Sequence, residues 1–183
     1  KMAYHREPEG GLAVARRPAT ELDRLPPVRG GGVWLVAVGT EKPGNLGAMV
    51  RTADALGCDA VLAAGAPVDP FHPNAIRAST GAVFSMPVAV CDPERAIALL
   101  RERGVRLLAL TVDGQQLLPA AVEQLDRDRW PPIAAVIGPE DTGLDDDWVQ
   151  AATQSGGGAV RIETAGRVAD SLNASVAAAI ALH

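Results

Sequence analysis

The sequence predicts an α/β domain built around a mostly parallel sheet. Continuous apolar runs of strand length predict it, together with helix-period stretches that alternate with them and glycine-bearing loops at the junctions. The first thirty residues read as a short strand, Leu12–Arg16, and then a linker marked by Pro18, Pro26, Pro27 and the Gly30–Gly32 run. Val33–Val38 is apolar throughout, as expected of a strand covered on both faces. A helix follows over Leu46–Leu56, with Leu46, Met49, Val50, Ala53 and Leu56 on one stripe. Ala60–Ala64 reads as the next strand and Val83–Val90 as the one after it. Pro93–Arg103 has proline near its start and Gly104 just past its end, the asymmetry of a helix. Val105–Thr111 and Ile133–Ile137 are further strands, and Asp145–Ala152 a helix. A short strand, Ala159–Ile162, precedes the last helix, Leu172–Leu182.

Composition narrows the function classes. With 183 residues, 48% hydrophobic and 21% charged, the chain suits one domain with a sizeable core. Aromatic residues make up only 3%, so that core must pack through alanine and aliphatic side chains. No apolar stretch reaches the roughly 18 residues of a membrane span, and Lys1 to Gly11 has no signal-peptide character. Cytoplasm is the expected compartment. Cys58 and Cys91 read as free thiols, and His5, His72 and His183 lie too far from other ligands to suggest a metal. The net charge of −5 disfavours a simple basic nucleic-acid binder. The charge is uneven, however: residues 1–30 carry six basic and four acidic side chains, a local +2, leaving −7 on the remainder.

Three segments stand in loops between a strand and a helix, the edge of an open α/β sheet where ligands bind. The first runs Gly39-Thr-Glu-Lys-Pro-Gly44-Asn45-Leu-Gly47-Ala-Met-Val-Arg51. It has the glycine spacing of a phosphate loop, but Asn45-Leu46 stands where Lys-Ser/Thr is needed, so nucleotide hydrolysis is disfavoured. Asn45 is placed to cap the helix. Arg51 is either a solvated surface arginine or a functional cation, flanked by the small residues Ala48 and Ala55. The second segment, Val136-Ile137-Gly138-Pro139-Glu140-Asp141-Thr142-Gly143-Leu144, is a loop whose glycines allow a ligand close to the backbone. Glu140 there is a turn residue or an anchor for a partner group. The third, Asp170-Ser171-Leu172-Asn173-Ala174-Ser175, opens the last helix, with Ser171 as its expected cap. Leu172, Val176, Ala179 and Ile180 form an apolar stripe and the alanines suit very close helix packing, as an ordinary capped core helix would also show.

In this order the segments resemble the signature motifs of SpoU-type (TrmH-like) RNA methyltransferases of the SPOUT superfamily: Asn-x-Gly-x-x-x-Arg, Gly-x-Glu-x-x-Gly and Ser-Leu-Asn-x-Ser. A fourth stretch, Arg77-Ala-Ser-Thr-Gly81-Ala-Val-Phe84, is similar to one that the family often carries. The resemblance covers Val33 to His183. It implies an S-adenosylmethionine-dependent RNA 2′-O-ribose methyltransferase, rRNA favoured over tRNA, working as a homodimer without metal or membrane. It also implies a carboxyl-terminal trefoil knot, which general topology rules would disfavour. On this resemblance Leu110, Thr111, Ile137, Gly138, Gly143, Ile162, Leu172 and Asn173 hold the cofactor, and Arg51 is catalytic. Asn45, Glu140, Ser171 and Asn173 complete the site. The chain departs from many relatives at Ile162-Glu163-Thr164-Ala165-Gly166, where they carry Ile-Pro-Met, and this places a charge beside the expected cofactor loop.

Some family members join an amino-terminal RNA-binding domain to the knot domain through a segment similar to Gly11–Pro18. Residues 1–32 are therefore expected to be the end of such a linker and 33–183 the catalytic domain. The competing reading is a non-catalytic RNA-binding or ribosome-associated module that keeps the fold. A small-molecule nucleotide enzyme is disfavoured, since it would need a phosphate loop or a dinucleotide fingerprint.

Overall fold

The computed structural model describes residues 14–124, 131–165 and 172–183. Its strands are β1 (Val33–Val38), β2 (Ala60–Ala64), β3 (Val88–Cys91), β4 (Arg106–Leu110), β5 (Gln116–Leu117), β6 (Ile133–Ile137) and β7 (Gly158–Arg161). They form one seven-stranded sheet in the order β3-β2-β1-β6-β4-β7-β5. Every neighbouring pair is parallel. The expected α/β class with a parallel sheet is therefore observed.

The helices are α1 (Pro43–Ala55), α2 (Pro73–Ser79), α3 (Pro93–Glu102), α4 (Leu118–Glu123), α5 (Asp146–Gln154) and α6 (Ala174–Leu182). One face of the sheet packs Val36, Leu62 and Val136 with Trp148 of α5 and Ala96 and Leu100 of α3. The other packs Leu35, Val61 and Ile137 with Leu46, Met49, Val50 and Ala53 of α1 and Ala174 and Ala178 of α6. With helices on both faces, β1, β2 and β6 are buried along nearly their whole length, which is why they read as unbroken apolar runs. On the second face α1 and α2 cross closely: a Cβ on Gly47 would collide with the Ala75 carbonyl.

Several boundaries differ from expectation for identifiable reasons. The helix expected from Leu46 begins at Pro43, since proline needs no N–H partner in the first turn. Asn45 is then inside that turn and not its cap, and its side chain is free for other bonds. Leu56 falls past the helix end and is 42% exposed. The strand expected over Val83–Val90 is Val88–Cys91, preceded by a single 3₁₀ turn, Ala82–Phe84. Val83 and Met86 are buried there without being extended, which mimics a strand in the sequence. The last helix begins at Ala174, capped by Asn173, whose Oδ1 accepts from the Ser175 N–H at 3.0 Å. Ser171, the expected cap, lies outside the described residues. The outward Val176 and Ile180 are 46% and 44% exposed, so the alanine face, not the bulky stripe, meets the core.

Residues 12 and 13 of the expected first strand lie outside the described residues, and 14–16 are not strand. The linker instead lies along the sheet edge. The Val90 N–H donates to the Thr20 carbonyl at 2.9 Å, and Leu25 is buried. Arg103 donates to the Pro26 carbonyl and lies 5.3 Å from the Trp34 ring centre. Cys58 and Cys91 are free, and burial pushes both thiols up to about 11, so neither is a thiolate at neutral pH. No helix among the described residues is long and apolar enough to cross a membrane.

Candidate active site

The strand order reverses beside β1, which neighbours both β2 and β6, and the loops after β1 and β6 meet at this point. They pack tightly: a Cβ on Gly39 would stand 2.8 Å from Pro139 Cγ. This contact places the start of α1 against Glu140.

Glu140 is the hub of the site. Its Oε1 accepts from Asn45 Nδ2 at 2.7 Å, from Asn173 Nδ2 at 2.6 Å and from the Ala174 N–H at 3.3 Å. Its Oε2 accepts from Lys42 Nζ at 2.9 Å. One carboxylate thus ties the β6 loop to the first turn of α1 and the amino end of α6, where free N–H groups favour negative charge. The Lys42 hydrogen bond, then the Ala174 N–H and Asn45, hold the Glu140 carboxyl below its ordinary value of 4.5. The same bond and charge hold the Lys42 ammonium above its ordinary value. Asn173 also donates to Asn45 Oδ1 at 3.3 Å, closing the network.

Asn45, Glu140 and Asn173 are therefore brought together. Arg51 is not part of their network. Six residues further along α1, it is displaced roughly 9 Å along the axis and about 240° around it. Its side chain is exposed and makes no hydrogen bond or ion pair among the described residues. Lys42 was missed by sequence reasoning. Its signal was compositional: Lys1 and Lys42 are the only lysines in a chain whose other basic residues are arginines.

The residues expected to hold the cofactor converge at the carboxyl ends of adjacent strands. Leu110 on β4 is in register with Ile137 on β6 and with Val160 on β7. Gly138, Thr111 and Ile162 follow these strand ends directly. Two features mark these strand ends. Thr111 Oγ1 is buried and has no hydrogen-bond partner among the described residues, so it has bonding capacity to spare. Gly138 lies against the Gly143 and Leu144 backbone, which a Cβ would meet at 2.6–2.7 Å, so this loop keeps its shape only with glycine there. Leu172 is half-buried, and Glu163 is exposed beside the strand end. Among the described residues no group of three or more His, Cys, Asp or Glu could hold a metal ion.

Comparisons with known proteins agree with this architecture. Residues 32–183 match the model of the SpoU rRNA Methylase family. A 23S rRNA uridine 2′-O-methyltransferase of Streptomyces viridochromogenes is 33% identical over 94% of the chain and 58% of its own length. A 23S rRNA adenosine 2′-O-methyltransferase of Streptomyces azureus is 34% identical over 94% of the chain and 60% of its own length. The crystal structure of a SpoU methyltransferase from Streptomyces viridochromogenes, in complex with AdoMet, superposes with a TM-score of 0.77 at 30% identity. It covers 90% of this chain and 60% of that one. The chain thus spans about three fifths of the length of these relatives.

Proposed function

Because the chain belongs to the SpoU rRNA Methylase family, we propose that it transfers a methyl group from S-adenosylmethionine to a ribose 2′-hydroxyl of RNA. The observation that carries this reading is the Glu140 cluster beside the Gly138 loop at the end of β6, with Arg51, unbonded among the described residues, further along α1.

S-adenosylmethionine, AdoMet, supplies a sulfonium methyl that is already electrophilic, so no metal is needed. Leu110, Thr111, Ile137, Gly138, Gly143, Ile162 and Leu172 would hold it, with Asn173 at the boundary to the RNA. Glu140 positions and does not act as a base. Its two oxygens accept from three side chains and one backbone N–H, and its depressed pKa makes it a poor proton acceptor. Arg51 cannot be a free base either, since a guanidinium stays protonated. Its role is to bind an RNA phosphate and stabilise negative charge growing on the attacking oxygen, a preorganised electrostatic contribution, while that phosphate takes the hydroxyl proton. Holding hydroxyl and methyl in line contributes several kcal/mol more by orientation. Ser171, two residues before Asn173 in the sequence, would complete the site.

The finer reading follows the same residues. The chain works as a homodimer through α1 and α6, so that Arg51 serves the partner's cofactor. Its distance from its own Glu140 cluster supports this, as do Leu56, Val176 and Ile180, left exposed on that layer. The carboxyl-terminal segment forms a trefoil knot. Supporting this, β7 lies beyond β4 while α6 returns to pack on α1 and β6. Residues 33–183 are the catalytic domain. Residues 1–32 are the end of a linker from an upstream RNA-recognition domain, the protein acting in the cytoplasm. The rRNA enzymes among the relatives favour rRNA over tRNA as the target.

The test is transfer of radiolabelled methyl from AdoMet to purified rRNA and to tRNA, followed by nucleoside analysis. A 2′-O-methylated nucleoside in rRNA, absent with Arg51→Ala, is the expected result. Binding of RNA and AdoMet without transfer to either RNA would establish the non-catalytic module instead.

A further inference from the structure

The stretch Arg77–Phe84 matches a family segment, yet the methyl-transfer site uses none of it. Its last residue, Phe84, belongs to a row of stacked groups. The Phe84 and Phe71 rings stack with centroids 5.8 Å apart and planes 30° from parallel. Arg17 of the linker follows, its guanidinium 5.4 Å from the centre of the Phe71 ring. Asp69 anchors both ends of that contact, accepting from Arg17 Nη1 at 3.0 Å and from the Phe71 N–H at 2.9 Å. The far end of the row is open: Phe84 is 55% exposed.

These are the only two phenylalanines in the chain, and an apolar ring half in water has a cost that a packed position would avoid. The other exposed apolar side chains on this layer, Leu56, Val176 and Ile180, are aliphatic and offer no π-face. Phe71 and Ala82 pack on the same core cluster as α1 and α6, so the row lies on the side of the sheet that carries Arg51. Beside it is a recess of about 200 Å³ between the linker and the sheet edge, lined by Ala19, Arg24, Phe71, Ser85 and Met86. The charge around it is also distinct. Residues 14–29 hold Arg16, Arg17, Arg24 and Arg29 against Glu21 and Asp23, a net +2 in a chain of −5. Arg16, Arg24 and Arg29 are exposed.

We propose that Phe84, backed by Phe71 and Arg17, is a stacking shelf for an unpaired nucleobase of the RNA, with the linker arginines on its phosphates. Every base has a π-face, so the shelf accepts bases without reading their identity, and it selects single-stranded over duplex RNA. The inference rests on the RNA-methyltransferase reading, because it supplies a second contact for the RNA that reaches Arg51. The linker has an added role here: through Arg17 and the Val90–Thr20 bond, its docking on the sheet edge completes the shelf.

The experiment is anisotropy of a fluorescently labelled, mixed-sequence single-stranded RNA titrated with the 183-residue chain. Duplex RNA and calorimetric AdoMet binding serve as parallel readouts. Phe84→Ala should weaken single-strand binding by about tenfold, as loss of one stacked base does. Phe84→Trp should restore it, and Phe84→Leu, apolar but not aromatic, should not. Arg24→Ala should weaken binding and lower its salt dependence by about one counterion. AdoMet affinity should not change in any of these. Equal binding by wild type, Phe84→Ala and Phe84→Leu would overturn the shelf while leaving the enzyme reading intact. A fall in sedimentation mass with Phe84→Ala would also overturn it, since the ring would then be covered by a second copy of the chain. Wild type that binds neither RNA nor AdoMet would overturn both readings together.

Discussion

The two ends of α1 are built in opposite ways. In its first turn Asn45 is bound to Glu140, which is bound in turn to Lys42, Asn173 and the first N–H of α6. Near its other end Arg51 is exposed and bonded to nothing among the described residues. A fully satisfied polar network holds one geometry, and its members have little capacity left for a substrate. An unpaired guanidinium on a rigid helix is the reverse: well placed at its base and free at its tip. On the proposed function, one end supplies shape and the other substrate chemistry.

The sharpest way to break that assignment is Arg51→Ala. Methyl transfer should fall by about 100-fold or more, the scale of removing one preorganised charge-stabilising group. AdoMet affinity and thermal stability should stay the same, so a collapse of cofactor binding measured by calorimetry would contradict the division. Next in size is Glu140→Ala, which frees Asn45, Asn173 and the Ala174 N–H at once. Activity should drop by tens of fold through misplacement of the loop and helix ends. Unlike the Arg51 change, it should also lower Tm, read by calorimetric melting.

Asn173→Ala should cost about 1 kcal/mol of stability, the worth of an N-cap, measured by urea denaturation. A smaller effect is expected from pH. Because the Glu140 carboxyl is held below 4.5, its ionised form contributes stability that is fully present above that value. That contribution is lost as pH falls through the lowered value. The Tm difference between wild type and Glu140→Gln should therefore be flat from neutral pH to about 4.5 and shrink below it. A difference that shrinks already near neutrality would mean that Glu140 is not held by these bonds. The smallest effect belongs to Lys42→Met, an exposed ion pair of the kind that adds little to stability. Its Tm should be unchanged within the scatter of the melt.

Much of this arrangement could be read from residues in order along the chain. Val33–Val38, Ala60–Ala64 and Ile133–Ile137 lie where expected because strands buried on both faces leave an unmistakable apolar run. Asn45, Glu140 and Asn173 were legible as motif positions, but their mutual bonds were not, since they link residues 95 and 33 apart along the chain. Short elements escaped. The seven-residue α2 offers too few turns to show a helical period, although Pro73 and the His72 cap mark its start. Two-residue β5 carries no period at all. The last helix was legible in part: its alanines do pack closely against the α1 layer, but the bulky Val176 and Ile180 of its apolar stripe face outward.

The account turns on AdoMet binding at the ends of β4, β6 and β7, so calorimetric titration of AdoMet into the chain is the most direct test of it. Saturable binding is expected, lost in Leu172→Arg and kept in Arg51→Ala. A folded protein that binds no AdoMet, or binds it equally well with arginine introduced at position 172, would contradict the account.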